Sequence, residues 1–218
     1  MANKEFRDRL KRRAKSANLS IENALAEKLE VYYQLLAKWN AKINLTSYRL
    51  SSSGEDDAID RLLIEPIAAA RYVPGNARTL LDAGSGGGSP AIPLALAAPH
   101  LALRMVEVKT RKTVFLREAL RAIGLKADVE TSRFEELLSR PELHETIDLV
   151  SIRAVRIETK TLNTLQAFLR PGGNLLLFRG SSSSNLADTA PPPLELMGEY
   201  PLVESLQSRL VILSKTRR

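Results

Sequence analysis

The sequence predicts an α/β fold: a mostly parallel sheet with helices on both faces, preceded by a helical extension. Three observations carry that expectation. From residue 79 onward short apolar runs alternate with helical ones; residues 1–72 show helical spacing without strand patterns; and a glycine-rich turn joins the first strand to its helix. The expected division is 1–72 as the N-terminal helical extension and 73–218 as the sheet domain.

In the extension, Ile21, Leu25, Leu29, Tyr32, Leu36 and Trp39 recur at helical spacing. They predict an amphipathic helix over 21–39 with Ser20 as its N-cap. A second helical segment is expected over 58–72, divided near Pro66, with the polar run SSSGEDD (51–57) between the two. Ahead of both, Lys4, Arg7, Arg9, Lys11, Arg12, Arg13 and Lys15 face only Glu5 and Asp8. That density suits either a phosphate-binding arm or a solvated terminus. Trp39, the single tryptophan, reads as packing rather than as a base-stacking platform.

In the sheet domain the first strand is expected at 79–83 and its helix at 90–98. The pattern continues with a strand at 103–108 and a helix at 110–123, stopped by Gly124. Next come a strand at 127–130 with a helix at 133–139, then a strand at 147–152 with a helix at 157–169. PGG (171–173) turns the chain into a strand at 174–179. SSSSN (181–185) and PPP (191–193) read as loop, and 206–215 as a late strand, antiparallel and at the sheet edge.

Composition narrows the function. No apolar run reaches the roughly 18 residues of a membrane span, and the charged start carries no apolar signal region. A cytoplasmic enzyme is the expectation. The absence of cysteine excludes disulfides and thiolate chemistry, and His100 and His144 are too far apart in sequence to suggest a metal site. A net charge of +7 favours a polyanionic partner.

Asp82, Gly84, Gly86 and Gly88 form D-x-G-x-G-x-G at the end of the first strand. Such a turn permits close approach of a ligand to backbone, with the next helix aiming unpaired N–H groups at it. A dinucleotide site uses related physics. Two acids decide against it. The Asp82 carboxylate is unhelpful beside a pyrophosphate but suits the amino group of a cationic ligand; Glu107, 25 residues later at the end of the second strand, suits both ribose hydroxyls. A sulfonium nucleoside, S-adenosylmethionine, meets both demands.

Several further motifs follow in one order. WNAKINLT (39–46), DAGSGGGSPAIPLA (82–95), EVKTRKTVFL (107–116), SRFEEL (132–137), DLVSIRA (148–154) and LRPGG (169–173) together resemble the bacterial 16S rRNA guanine-N7 methyltransferase family, also called glucose-inhibited division protein B. The resemblance covers nearly the whole chain. It implies a class I S-adenosylmethionine-dependent, Rossmann-like methyltransferase fold and a 7-methylguanosine product in small-subunit rRNA. It also implies a cofactor site at Asp82, Gly84, Ser85, Gly86, Gly88, Pro90, Glu107 and Val108, joined by Arg133 and Phe134 after the third strand and by Arg153. Departures are local. Leu62, Glu65 and Pro66 replace the family's usual histidine, aspartate and serine; Val108 replaces a serine, and Arg179 a late lysine.

Methyl transfer from sulfur is an in-line displacement governed by positioning. Guanine N7 offers a lone pair and bears no proton, so no base is required. Asn44 and Arg153 are the candidate catalytic residues: Asn44 as an amide that both donates and accepts, Arg153 as a grip on phosphate or guanine O6. Asn40, Lys109, Lys112, Arg179 and Arg209 are candidate RNA contacts, with Arg111 beside them; Asn40 and Asn44 equally suit a role in capping the N-terminal helices. The partner is 16S rRNA or a small-subunit particle, with no metal and a monomeric state expected. The alternatives are methyl transfer to another RNA or a basic protein, a non-catalytic RNA-binding assembly factor, and a dinucleotide oxidoreductase.

Overall fold

The computed structural model describes residues 2–50, 56–153, 157–180 and 190–216. Among them seven strands form one sheet in the order β3-β2-β1-β4-β5-β7-β6. β1 (Thr79–Ala83), β2 (Ala102–Val106), β3 (Ala127–Glu130), β4 (Ile147–Ile152) and β5 (Leu169–Arg179) run parallel. β7 (Arg209–Lys215) lies antiparallel to both its neighbours, β5 and β6 (Leu194–Pro201).

Alternation along each strand feeds two apolar layers, which is why the strands read as continuous apolar runs. Leu80 points into one core, with α2 (Asn23–Asn40), α5 (Ala91–Ala97) and α6 (Thr110–Ile123); Leu81 points into the other, with α7 (Thr159–Phe168). The helical extension shares the first core rather than forming one of its own. Trp39 packs on Phe115 of α6, ring centroids 5.9 Å apart, as its apolar setting suggested. Gly124 ends α6 in the left-handed region, and the Leu125 N–H closes on the Leu120 carbonyl.

Several elements differ from the sequence expectation. The basic start is a docked helix, α1 (Ala2–Ser16), which buries Phe6, Leu10 and Ala14. Three of its cations are spent on distant acids: Arg7 pairs with Glu27 and Glu30, Arg9 with Asp56, and Arg13 with Asp56 and Asp60. Only tertiary structure brings those acids near. α2 starts at Asn23 with Glu22 at the cap position, so Ser20 does not cap it.

The segment over 56–72 is continuous but changes pitch. α3 (Asp56–Ile59) passes through a π-helical turn (Asp60–Ile64) into α4 (Glu65–Ala69) and a closing 3₁₀ turn (Ala70–Tyr72). The break thus falls ahead of Pro66, where the Glu65 N–H bonds to the Asp60 carbonyl. Residues 134–139 form a 3₁₀ helix rather than an α-helix. β6 was not read as a strand, and it takes the edge expected for β7. Its charged outward residues Glu195 and Glu199, Gly198 at a register shift, and terminal Pro201 obscure the strand pattern. Of the polar run expected as a separator at 51–57, Asp56 and Asp57 instead begin α3, while 51–55 and the expected loop at 181–185 lie outside the described residues.

Candidate active site

Strand order reverses between β1 and β4, and ligands of such sheets bind at the carboxyl ends flanking that point. There the chain leaves β1 through the glycine turn. Gly84 has φ +74°, with no atom within 4 Å of where a Cβ would stand, so backbone is open to a ligand. Gly88 has φ +87° for the opposite reason: a Cβ would fall 2.7 Å from Ile92 Cδ1, against α5.

The turn is held from three sides. The N–H groups of Gly84 and Ser85 both donate to the Val106 carbonyl, each at 2.9 Å. Glu107 accepts the Gly86 N–H on Oε2 at 2.9 Å and the Lys109 N–H on Oε1 at 2.8 Å. From the extension, Tyr32 Oη donates to the Gly87 carbonyl at 2.6 Å. Ser85 and Pro90 are buried beneath the turn, whereas Val108 is exposed beside it.

Asp82 is buried at the end of β1. Its Oδ1 accepts from Ser151 Oγ of β4 at 2.6 Å, while Oδ2 has no partner. Burial pushes its carboxyl above the ordinary range, against the pull of the Ser151 hydroxyl. An under-satisfied buried acceptor beside an open glycine turn fits a ligand that brings a cationic donor. The Glu107 oxygens, each holding one backbone N–H, retain lone pairs for hydroxyls. The donor set therefore fits an amino-acid-bearing nucleoside.

Arg153 follows β4 and is largely buried. Nη1 donates to Ser89 Oγ at 3.0 Å and Nη2 to Glu65 Oε2 at 2.5 Å; its guanidinium carbon lies 5.2 Å from the Phe178 ring centre. Burial lowers its pKa, and the Glu65 charge opposes that. With Thr46, Tyr48, Arg61 and Ser89 it borders a cavity of about 160 Å³. Asn40 spends its amide on the loop after α2: Oδ1 accepts the N–H groups of Leu45 and Thr46, both at 2.9 Å. Asn44 is exposed on that loop.

The remaining candidates line the same sheet edge. Lys109, Arg111 and Lys112 begin α6, with Lys109 and Arg111 exposed. Arg133 is exposed after β3, and Phe134 packs partly into the second core. Arg179 and Arg209 are register partners across β5 and β7; Arg179 is buried, and Arg209 is exposed and pairs with Glu199 at 3.1 Å. A cavity of about 740 Å³ lies away from the turn near Tyr72 and Tyr200. It mixes Glu199 and Glu204 with Arg71 and Arg209 and holds no orphaned buried polar atom.

Sequence reasoning gave no role at the site to Glu65, Arg61, Ser89 or Ser151, and read Tyr32 only as part of an apolar helix face. For Glu65 a signal existed: a lone acid inside the apolar run LLIEPIAAA (62–70) needs a buried partner. Among the described residues no helix is long and apolar enough to cross a membrane.

Comparison with known proteins agrees with this geometry. A curated relative from Geobacter metallireducens, named ribosomal RNA small subunit methyltransferase G, is 31% identical over 216 residues covering 95% of each chain. One of the same name from Geobacter sulfurreducens is 30% identical over 85% of this chain and 82% of its own. The fold is that of a solved S-adenosylmethionine-dependent methyltransferase from Aquifex aeolicus, with a TM-score of 0.53 at 14% identity over 72% of this chain and 92% of that one. The rRNA small subunit methyltransferase G family, GidB, matches residues 25–197, taking in nearly all of α2, the glycine turn, β1 to β5 and the first half of β6. The chain belongs to that family.

Proposed function

We propose that the chain methylates N7 of one guanosine in bacterial 16S rRNA, using S-adenosylmethionine. The observation that carries this reading is the family match over 25–197, which includes most of the extension together with the glycine turn. Bound S-adenosylmethionine supplies a methyl group on a positively charged sulfur. Asp82 would take the ammonium of its amino-acid end on Oδ2, and Glu107 the ribose hydroxyls. Arg133 and Phe134 would flank its adenine. Residues 73–218 would thus hold the cofactor, while 1–72 close over the turn and help present the RNA.

The residues around the acceptor need only position it, because N7 has no proton to lose. Asn44 and Arg153 would orient the guanine, with Lys109, Lys112 and Arg209 along the rim toward phosphates and Arg179 adding its charge from the buried position beside Arg209. The protein would act as a cytoplasmic monomer on free rRNA or a small-subunit particle. The test is incubation with isotopically labelled S-adenosylmethionine and small-subunit rRNA, free and as 30S particles. Nuclease digestion and mass spectrometry should place the label on N7 of one guanosine. Measurable cofactor binding without label in either RNA would overturn the rRNA assignment.

A further inference from the structure

Glu65 is fully buried among the apolar residues of the π-turn and α4. A carboxylate there is retained only with its charge matched, and an apolar side chain of similar volume is often as stable. Glu65 divides its oxygens between two arginines. Oε1 takes Arg61 and Oε2 takes Arg153, both at 2.5 Å.

The second pairing leads to the glycine turn. Arg153 donates to Ser89 Oγ at 3.0 Å, and Ser89 donates in turn to the Leu62 carbonyl at 2.8 Å. That carbonyl has no helical donor from the residue four ahead, because Pro66 lacks an N–H. Ser89 fills the vacancy. A closed ring therefore runs from Glu65 to Arg153, to the end of the glycine turn, and back to the helix one turn before Glu65.

We infer that Glu65 is a positioning residue: it sets Arg153 against Ser89 and thereby fixes the glycine turn in its cofactor-binding shape. The inference rests on the reading above that this turn binds S-adenosylmethionine. Arg153 is the residue acted through. Its side chain spans the gap between β4 and the turn over the Phe178 ring, and the Glu65 carboxylate holds Nη2 while Nη1 reaches Ser89.

The test is calorimetric titration of S-adenosylmethionine into the full chain and into E65Q, E65D, R153A and E65Q/R153A, with melting temperatures alongside. E65Q keeps the shape and removes the charge, so affinity should fall on the order of tenfold. E65D keeps the charge with shorter reach and should lose less than E65Q. The double variant should bind no more weakly than R153A. A packing role gives the reverse: E65Q milder than E65D, or losses that multiply in the double variant. Either result overturns the inference. Should E65Q fail to fold, S89A decides, since it removes the target of Arg153 and leaves the Glu65 pair intact. It should match R153A in affinity, and unchanged binding by S89A would overturn the inference. A wild-type chain that does not bind the cofactor sinks both the reading of the turn and the role of Glu65. Wild-type binding with E65Q unaffected sinks the role alone.

Discussion

The seam between β1 and β4 carries an aspartate at each end, and the fold treats the two in opposite ways. At the amino ends, Asp148 of β4 accepts the Arg78 N–H at 2.8 Å, and the Thr79 N–H and hydroxyl at 2.9 Å each, on one oxygen. Its other oxygen takes Arg170. At the carboxyl ends, Asp82 of β1 receives only the Ser151 hydroxyl from β4 and keeps one oxygen bare. Burial acts upward on both carboxyls. At Asp148 the donors of Arg78, Arg170 and Thr79 outweigh it and bring the value down to about 2; at Asp82 burial prevails. The satisfied aspartate is scaffold. The unsatisfied one keeps an acceptor that suits a donor brought by a ligand.

The largest expected effect breaks this contrast at Asp82. D82N should lower S-adenosylmethionine affinity by on the order of a hundredfold, the worth of about 2–3 kcal/mol for a charged hydrogen bond. Its melting temperature should hold or rise, because an under-satisfied buried charge is gone. Titration calorimetry and thermal unfolding on the same preparation test both halves. A destabilised D82N that still binds the cofactor would make Asp82 a second scaffold residue.

D148A should do the converse. Two backbone N–H groups and Arg170 lose their acceptor, at a cost of about 2 kcal/mol, read from denaturant unfolding. Affinity for the cofactor should not change. Asp148 also predicts an acid limb. Its folded value of about 2 lies below the ordinary 3.8, so it contributes stability that is fully present above about pH 4 and lost as pH falls toward 2. The gap corresponds to roughly 2 kcal/mol at neutral pH, and D148A should flatten that part of the stability–pH curve. Asp82 has the opposite sign: a raised carboxyl gives a contribution present below its unfolded value and lost as pH rises through its folded one.

The sequence made one of these aspartates legible and not the other. Asp82 announced itself through glycines at fixed spacing and through Glu107, because local backbone geometry dictates both. Asp148 sat in the run DLVSIRA with nothing to separate it from an ordinary strand residue; its donors come from Arg78, Thr79 and Arg170, on or beside neighbouring strands but far off in sequence. The parallel strands and α6 were equally readable, since periodicity and a stop at Gly124 are local. β6 was not, because an edge strand with outward acids and an interior glycine lacks an apolar rhythm. The docking of α1 was hidden for a related reason. Its arginines look like a free basic arm until Asp56 and Asp60 come within reach.

Smaller than the effect at either aspartate is the grip of the extension on the turn. Tyr32 is fully buried, burial pushes its hydroxyl pKa up, and its one hydrogen bond goes to the Gly87 carbonyl. Y32F should cost about 1 kcal/mol in stability and weaken cofactor binding a few-fold. Both effects together would sharpen the distinction, since they would show the extension stabilising the functional end of the seam. A stability loss without any change in affinity would confine Tyr32 to the core.

The smallest effect is expected where the same edge runs out, at Arg209. Its pair with Glu199 is exposed, and such pairs contribute about 0–0.5 kcal/mol once screening and side-chain entropy are counted. R209A should therefore melt with the wild type and bind S-adenosylmethionine unchanged. If Arg209 touches a phosphate, the apparent KM for RNA should rise a few-fold, with a shallower dependence on salt, because one fewer counterion is released on binding. Methylation assays across a salt series read this directly. A change in cofactor affinity at Arg209 would extend the functional centre along the sheet to β7, and the seam between β1 and β4 would no longer be where function separates from scaffold.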